Sequence, residues 1–208
     1  MTKGGLYPGL NLGKKHGEAD AQAETTVFGF WVFLMSDLIV FGILFASYAS
    51  YLNPIGMSGG PGPNQLFDIT SVSLQTAFLL VGGISYAGVS LALKYQKGSG
   101  HIIAWLLVCI LFGAGFLYFE VTDFMTQASL GGTPQVSGWL SCYWSLVGLH
   151  GIHVFSGILW MFLMIGQILT RGLDDIVKVR LSMLGVFWHF LDLIWVGIFS
   201  FVFLVPLA

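Results

Sequence analysis

Long runs of apolar side chains, separated by short stretches of Gly, Pro, Lys and acids, set the pattern of this chain. The runs cover roughly residues 27–52, 71–93, 102–124, 138–170 and 181–206. Each is longer than the about 20 residues a helix needs to cross a hydrocarbon core. Backbone in lipid must satisfy its hydrogen bonds within the segment, so continuous runs of this length predict helices. Barrel strands would be about half as long and would alternate in polarity, which these runs do not. The pattern predicts an all-α, polytopic membrane protein with five transmembrane helices, forming one domain over residues 27–208 behind a polar N-terminal tail, residues 1–26.

The connections fit that division. Residues 53–64 are rich in Gly, Pro, Asn and Ser and predict a loop of turns. A short basic turn from Lys94 to His101 makes spans two and three an antiparallel hairpin, and Gly131, Gly132 and Pro134 mark the next loop, followed later by residues 171–180. Span four would be roughly 50 Å long if wholly helical, so it should tilt or project from the membrane. Small residues recur at helix-packing spacing: Gly42, Ala46 and Ser50; Gly82 and Gly83; Gly113 and Gly115; Gly148, Gly151 and Gly157. Such residues let helix backbones approach closely in lipid, and packing is the expectation for them.

Composition removes the soluble alternatives. The chain is 56% hydrophobic and 9% charged, with mean hydropathy +0.83, whereas a soluble domain carries about a quarter charged residues. Nothing in this balance suggests nucleic acid as a partner. The eight basic residues are Lys3, Lys14, Lys15, Lys94, Lys97, Arg171, Lys178 and Arg180. All lie in the tail, the loop after span two or the loop after span four, which share one side of the membrane if there are five spans. The positive-inside rule predicts a cytoplasmic N-terminus and a periplasmic C-terminus. The tail lacks an apolar signal core, so the first span is expected to direct its own insertion. Cys109 and Cys142 fall at different depths and outside any CxxC pair, which predicts neither a disulfide nor a thiolate metal site. Trp31, Trp105, Trp139 and Trp144 are expected in the interfacial belts.

Seven ionisable side chains interrupt the apolar runs: Asp37, Glu120, Asp123, His150, His153, His189 and Asp192. Such groups are costly in lipid and are candidate functional residues by default. Asp37, the pair His150 and His153, and the pair His189 and Asp192 fall at comparable depth in three helices. Members of each pair are three apart and share a helix face. Four uses fit this pattern: a metal or haem site, a proton relay, buried hydrogen-bonded packing, and a small-molecule pore. Packing ranks first and the relay second; the metal site ranks low because the carboxylate–histidine pattern of di-iron bundles is missing. Asp37 is expected to bond a helix carbonyl, His150 or His189, or to influence proton entry in a larger assembly. Glu120 and Asp123 are placed near the outer end of span three, partly at the interface.

Four blocks of sequence resemble a known family. Phe30-Trp31-Val32-Phe33-Leu34-Met35-Ser36-Asp37-Leu38-Ile39, continued by Leu44-Phe45-Ala46-Ser47-Tyr48, is similar to the first conserved helix of subunit III of haem–copper terminal oxidases. Gly113-Ala114-Gly115-Phe116 with Glu120-Val121-Thr122-Asp123-Phe124, then Gly148-Leu149-His150-Gly151-Ile152-His153-Val154, resemble the second and third blocks. Phe187-Trp188-His189-Phe190-Leu191-Asp192-Leu193-Ile194-Trp195 resembles the fourth and is the most specific. Five spans are shared by the bacterial cytochrome c oxidases and the quinol oxidases of this family, and Met35-Ser36-Asp37, with Asp where many relatives have Glu, looks most like the cytochrome bo-type ubiquinol oxidase branch.

The resemblance implies a non-catalytic subunit of a proton-pumping terminal oxidase of aerobic respiration, in a bacterial inner membrane. It implies no haem or copper in this chain, haems and copper in the partner subunit I, and subunits I, II and IV as partners. It also implies phospholipid held in a V-shaped cleft, with spans one and two as one arm and spans three to five as the other. Asp37, with His150 and His153, would lie by the lipid cleft or influence proton uptake. Glu120, Asp123, His189 and Asp192 would be structural hydrogen-bonding groups. The alternatives are subunit III of a cytochrome c oxidase or a free-standing proton-coupled transporter. Against the transporter stand the lack of an inverted repeat and of matching broken helices.

Overall fold

Each apolar run becomes a helix in the computed structural model, which describes the backbone of residues 16–58 and 60–207 and the side chains of residues 25–58 and 60–206. The order is α1 His16–Tyr51, the short turns α2 Pro54–Met57 and α3 Pro63–Leu66, α4 Ile69–Lys94, α5 Ser99–Ser129, α6 Gly138–Arg171 and α7 Asp175–Ile198. A π-helical segment, Phe199–Leu204, continues α7 and ends in the turn α8, Val205–Leu207. Five helical stretches are long and apolar enough to cross a membrane: Thr25–Tyr51, Ile69–Lys94, Ser99–Ser129, Gly138–Arg171 and Asp175–Leu204.

Local chemistry sets the ends. Asp68 accepts from Thr70 N at 2.9 Å and caps α4, while Ser137 accepts from Leu140 N at 3.2 Å and caps α6. Each side-chain oxygen satisfies one of the free N–H groups of a first turn. The polar tail departs from expectation: α1 starts at His16, so helix enters residues 16–26. That stretch is rich in Ala and Glu, both strong helix formers, and an established helix extends through them readily. The remainder of the predicted tail, residues 1–15, lies outside the described residues. The loop 53–64 also holds more structure than a string of turns. Asn53 anchors α2 by accepting from Gly56 N at 2.8 Å and donating to Ser50 O at 2.7 Å.

α4 and α5 form the expected hairpin, and α7 packs against both α4 and α6. The glycines of spans two to four explain how closely these helices meet. Trp188 of α7 is fully buried, its indole seated among Gly82, Gly113 and Gly157 from three other helices. A methyl group added at Gly113 would stand 2.9 Å from Trp188 Cη2, and one at Gly157 would stand 3.1 Å from Cζ3. The small residues of span one behave differently. Gly42, Ala46 and Ser50 all face outward, and nothing lies within 4 Å of a methyl group placed at Gly42 or Gly148.

α1 joins the bundle through a narrow seam. Leu34, Phe41 and Tyr48 are its buried hydrophobic positions, spaced seven apart so that they fall on one stripe of the helix. The stripe lies against α6 and α7, and Tyr48 donates to Val202 O in the π-helical segment at 3.1 Å. The expected arm of spans one and two is therefore not formed: α1 packs on α6 and α7, while α4 packs on α5 and α7. Trp139 does not face outward. It is fully buried among Tyr48, Phe67 and Tyr143 at the start of α6.

Candidate functional site

The intramembrane polar residues fall into four separate groups. The first joins α1 to α6. His153 Nδ1 lies 2.8 Å from Leu149 O one turn back on its own helix, so this nitrogen donates, since a carbonyl oxygen can only accept. Its Nε2 then faces Asp37 Oδ2 at 2.9 Å. One proton must occupy that Nε2–Oδ2 contact, on the imidazole or on the carboxyl, and the pair is neutral in either case. Both side chains keep 20% of their surface exposed, so the pair borders the outside of the bundle. The partner of Asp37 is thus His153, not His150 or His189 as the sequence suggests.

His150 turns the other way. It is fully buried, with Phe116 edge-on at 5.6 Å and Trp195 at 5.1 Å between ring centres. Its Nε2 lies 3.3 Å from Leu191 O of α7 and donates to it, which leaves Nδ1 without a partner among the described residues. Two histidines on nearly the same face of α6 therefore tie that helix to two different neighbours.

The third group surrounds α5. Asp123 accepts from Ser71 Oγ at 2.9 and 2.8 Å and from Gln75 Nε2 at 2.6 Å, which locks α5 to α4. Ser71 and Gln75 were not singled out in the sequence, although two polar residues four apart in an apolar span are a visible signal. Glu120 is not at the interface: only 4% of it is exposed. It lies so close to α6 that a methyl group at Gly151 would stand 2.6 Å from its Oε1. Neither carboxyl oxygen has a hydrogen-bond partner among the described residues. It therefore differs from the hydrogen-bonding group expected at this position.

The fourth group is His189 and Asp192 on α7, with Nδ1 3.3 Å from Oδ2. His189 faces outward with half its side chain exposed, edge-on to Tyr86. Asp192 is pressed against Gly83 of α4, where any added methyl group would overlap Oδ2. Tyr86 donates to Leu181 O at 2.7 Å and closes the same α4–α7 contact. Among the described residues no three His, Cys, Asp or Glu side chains converge as a metal-binding set.

These contacts define a multi-pass helix bundle whose intramembrane charges are placed mainly between its own helices. The profile of the family described as Cytochrome c oxidase subunit III matches residues 12–206, and the chain belongs to that family. Relatives include the cytochrome bo(3) ubiquinol oxidase subunit 3 of Pseudomonas aeruginosa, 39% identical over 193 residues, covering 93% of this chain and 91% of the relative. That of Pseudomonas putida is 41% identical over 181 residues, covering 87% and 86%. A probable quinol oxidase subunit 3 of Staphylococcus epidermidis is 33% identical over 187 residues, covering 90% and 92%. A subunit III of a multi-subunit oxidase sits in a complex with other oxidase subunits, and this chain is a multi-pass membrane protein of that kind.

Proposed function

We propose that this chain is the non-catalytic subunit III of a bacterial, proton-pumping ubiquinol oxidase of cytochrome bo type. It sits in the inner membrane beside subunit I, with subunits II and IV in the same complex. Haems and copper belong to subunit I, where oxygen is reduced, and this chain holds none. The observation that carries the reading is the family match from residue 12 to residue 206, together with relatives whose names specify a quinol oxidase. The structure adds a physical role. In this reading Asp37 with His153, Asp123 with Ser71 and Gln75, and His150 with Leu191 O link different helices of the chain, while His189 and Asp192 pair within α7.

The outward face of α1 carries the function toward the partner. Among its described side chains, α1 buries Leu34, Phe41 and Tyr48 in the chain's own core and partly covers Phe30, Asp37, Leu44 and Phe45, which leaves its outward face for subunit I and phospholipid. The Asp37–His153 pair at its border is placed to influence proton uptake by the complex. The basic residues Lys94, Lys97, Arg171, Lys178 and Arg180 lie in or beside the α4–α5 and α6–α7 connections, which supports a cytoplasmic position for that end and a periplasmic C-terminus.

Purification through a tag on this chain in mild detergent tests the reading. A haem-containing partner should copurify one-to-one and oxidise ubiquinol but not reduced cytochrome c. Recovery of the chain without a haem protein, or of a complex that uses only cytochrome c, refutes it.

A further inference from the structure

The end of the bundle that bears the basic loops holds a groove of about 260 Å³, between the last turn of α4, the first turn of α5 and the connection from α6 to α7. Leu93, Ile102 and Leu173 supply its apolar floor, and Gln96, Lys97 and Lys178 stand around it. The position of Lys97 is set by the backbone: its N–H donates to Ala92 O at 2.9 Å, closing the end of α4, while Gln96 takes a left-handed φ of 51°. Lys178 is partly offset by Asp175, 3.4 Å away, whereas no partner of Lys97 is found among the described residues.

The surrounding charge is unbalanced. Lys94, Lys97, Arg171, Lys178 and Arg180 lie at this end, against Asp174 and Asp175. α4 ends at Lys94, α5 begins at Ser99 and α7 begins at Asp175, so the groove opens where the membrane-crossing segments end. Ammonium groups beside an apolar floor at that depth match a molecule carrying an anion and a hydrocarbon part together. A freely dissolved anion would leave the floor unused. The volume suits a headgroup and its glycerol link, with the acyl chains lying along the outside of the bundle.

We propose that this groove binds the phosphate headgroup of an anionic phospholipid, held by Lys97 and Lys178 with the glycerol region on Leu93, Ile102 and Leu173. No residue of α1, and neither Asp37 nor His153, lines the groove. It does not depend on the oxidase assignment, because its readout is bound lipid, not oxygen consumption.

The test is a titration of the purified protein, with its companion subunits, by phosphatidylglycerol and by phosphatidylcholine in mixed micelles, with bound lipid counted by native mass spectrometry. Phosphatidylglycerol should bind the parent more tightly than phosphatidylcholine, and excess inorganic phosphate should not displace it. Lys97→Gln should weaken phosphatidylglycerol binding about fivefold, and Lys97→Gln with Lys178→Gln about 25-fold, at roughly the contribution of one lysine each. Arg171→Gln, which removes an equal charge outside the groove, should change it less than about twofold. An unchanged affinity in the double variant, an equal effect of Arg171→Gln, or displacement by inorganic phosphate would overturn the proposal. Lys97 is exposed and its replacement leaves packing intact, so Lys97→Gln alone decides the question if the double variant fails to fold.

Discussion

Gly113→Ala and Gly42→Ala are the same chemical change, and the structure gives them opposite signs. At Gly113 the new methyl group would stand 2.9 Å from Trp188 Cη2 and 3.2 Å from Ile158 Cδ1. Carbon atoms rest at about 3.5–4.0 Å, so the overlap with the indole is severe. The ring cannot retreat freely, because the atoms on either side of Cη2 also sit against helix backbone, Cζ3 at 3.1 Å from the methyl position at Gly157 and Cζ2 at 3.6 Å from that at Gly82. Overpacking of this kind costs roughly 1–3 kcal/mol, with the rigid indole favouring the upper half of that range. Ala in place of Gly returns about 1 kcal/mol of helix propensity. The net expectation is a loss of about 1–2 kcal/mol, or a drop of roughly 2–8 °C in Tm for a chain of this length. At Gly42 nothing lies within 4 Å, so only the propensity gain remains and Tm should hold or rise by up to about 4 °C. Both variants are read by circular dichroism melts of the purified chain in one detergent. Adding Trp188→Phe to Gly113→Ala should reveal a coupling of about 1 kcal/mol or more. A Gly113→Ala protein as stable as the parent, or a Gly42→Ala protein less stable than Gly113→Ala, refutes the nested-indole account.

Asp37→Asn should leave the complex assembled, with the contact to His153 Nε2 weakened by less than about 1 kcal/mol because the amide still hydrogen bonds; loss of all oxygen reduction in a fully assembled complex would contradict an accessory role. His189→Leu removes the hydrogen bond to Asp192, leaving a mostly buried carboxyl without it, and should cost about 1–3 kcal/mol in thermal stability and weaken association with the oxidase; a variant that copurifies and melts like the parent would show that the bond is unimportant. Glu120→Met replaces a buried carboxyl that has no partner among the described residues with an apolar group of similar size. Stability should stay within about 1 kcal/mol or increase, and a Tm lower by more than a few degrees would mean that the carboxyl bonds something the fold needs.

The sequence made the number of spans and their centres legible because lipid leaves the backbone one economical solution. Span boundaries were harder. The apolar run of span three ends near residue 124, but α5 continues to Ser129, which carries Glu120 from an apparent interface into the bundle. In the same way Ala- and Glu-rich residues continue α1 back to His16 although they are polar. Gly82, Gly113 and Gly157 do mark close contacts of α4, α5 and α6 with Trp188 of α7, yet Gly148 and the small residues of α1 face open space or the outside, since a small residue on a helix does not state what lies opposite. The candidate site was legible as a set of seven residues but not as pairs. His150 and His153 are nearly superposed along one face of α6, and only the placement of α1 and α7 decides that one meets Leu191 O and the other meets Asp37.

The narrow seam of α1 also bears on how the chain assembles. Tyr48 and the carbonyl it reaches are 154 positions apart, so at about 5–20 residues per second the ribosome needs roughly 8–30 s to supply the second after the first. Until α6 and then α7 follow, α1 resides in the bilayer without its destined neighbours, and Asp37 waits for the imidazole of His153. A nascent chain halted after α5 would hold an unmatched acid in lipid, a mark by which quality-control proteases could distinguish unfinished molecules from completed ones.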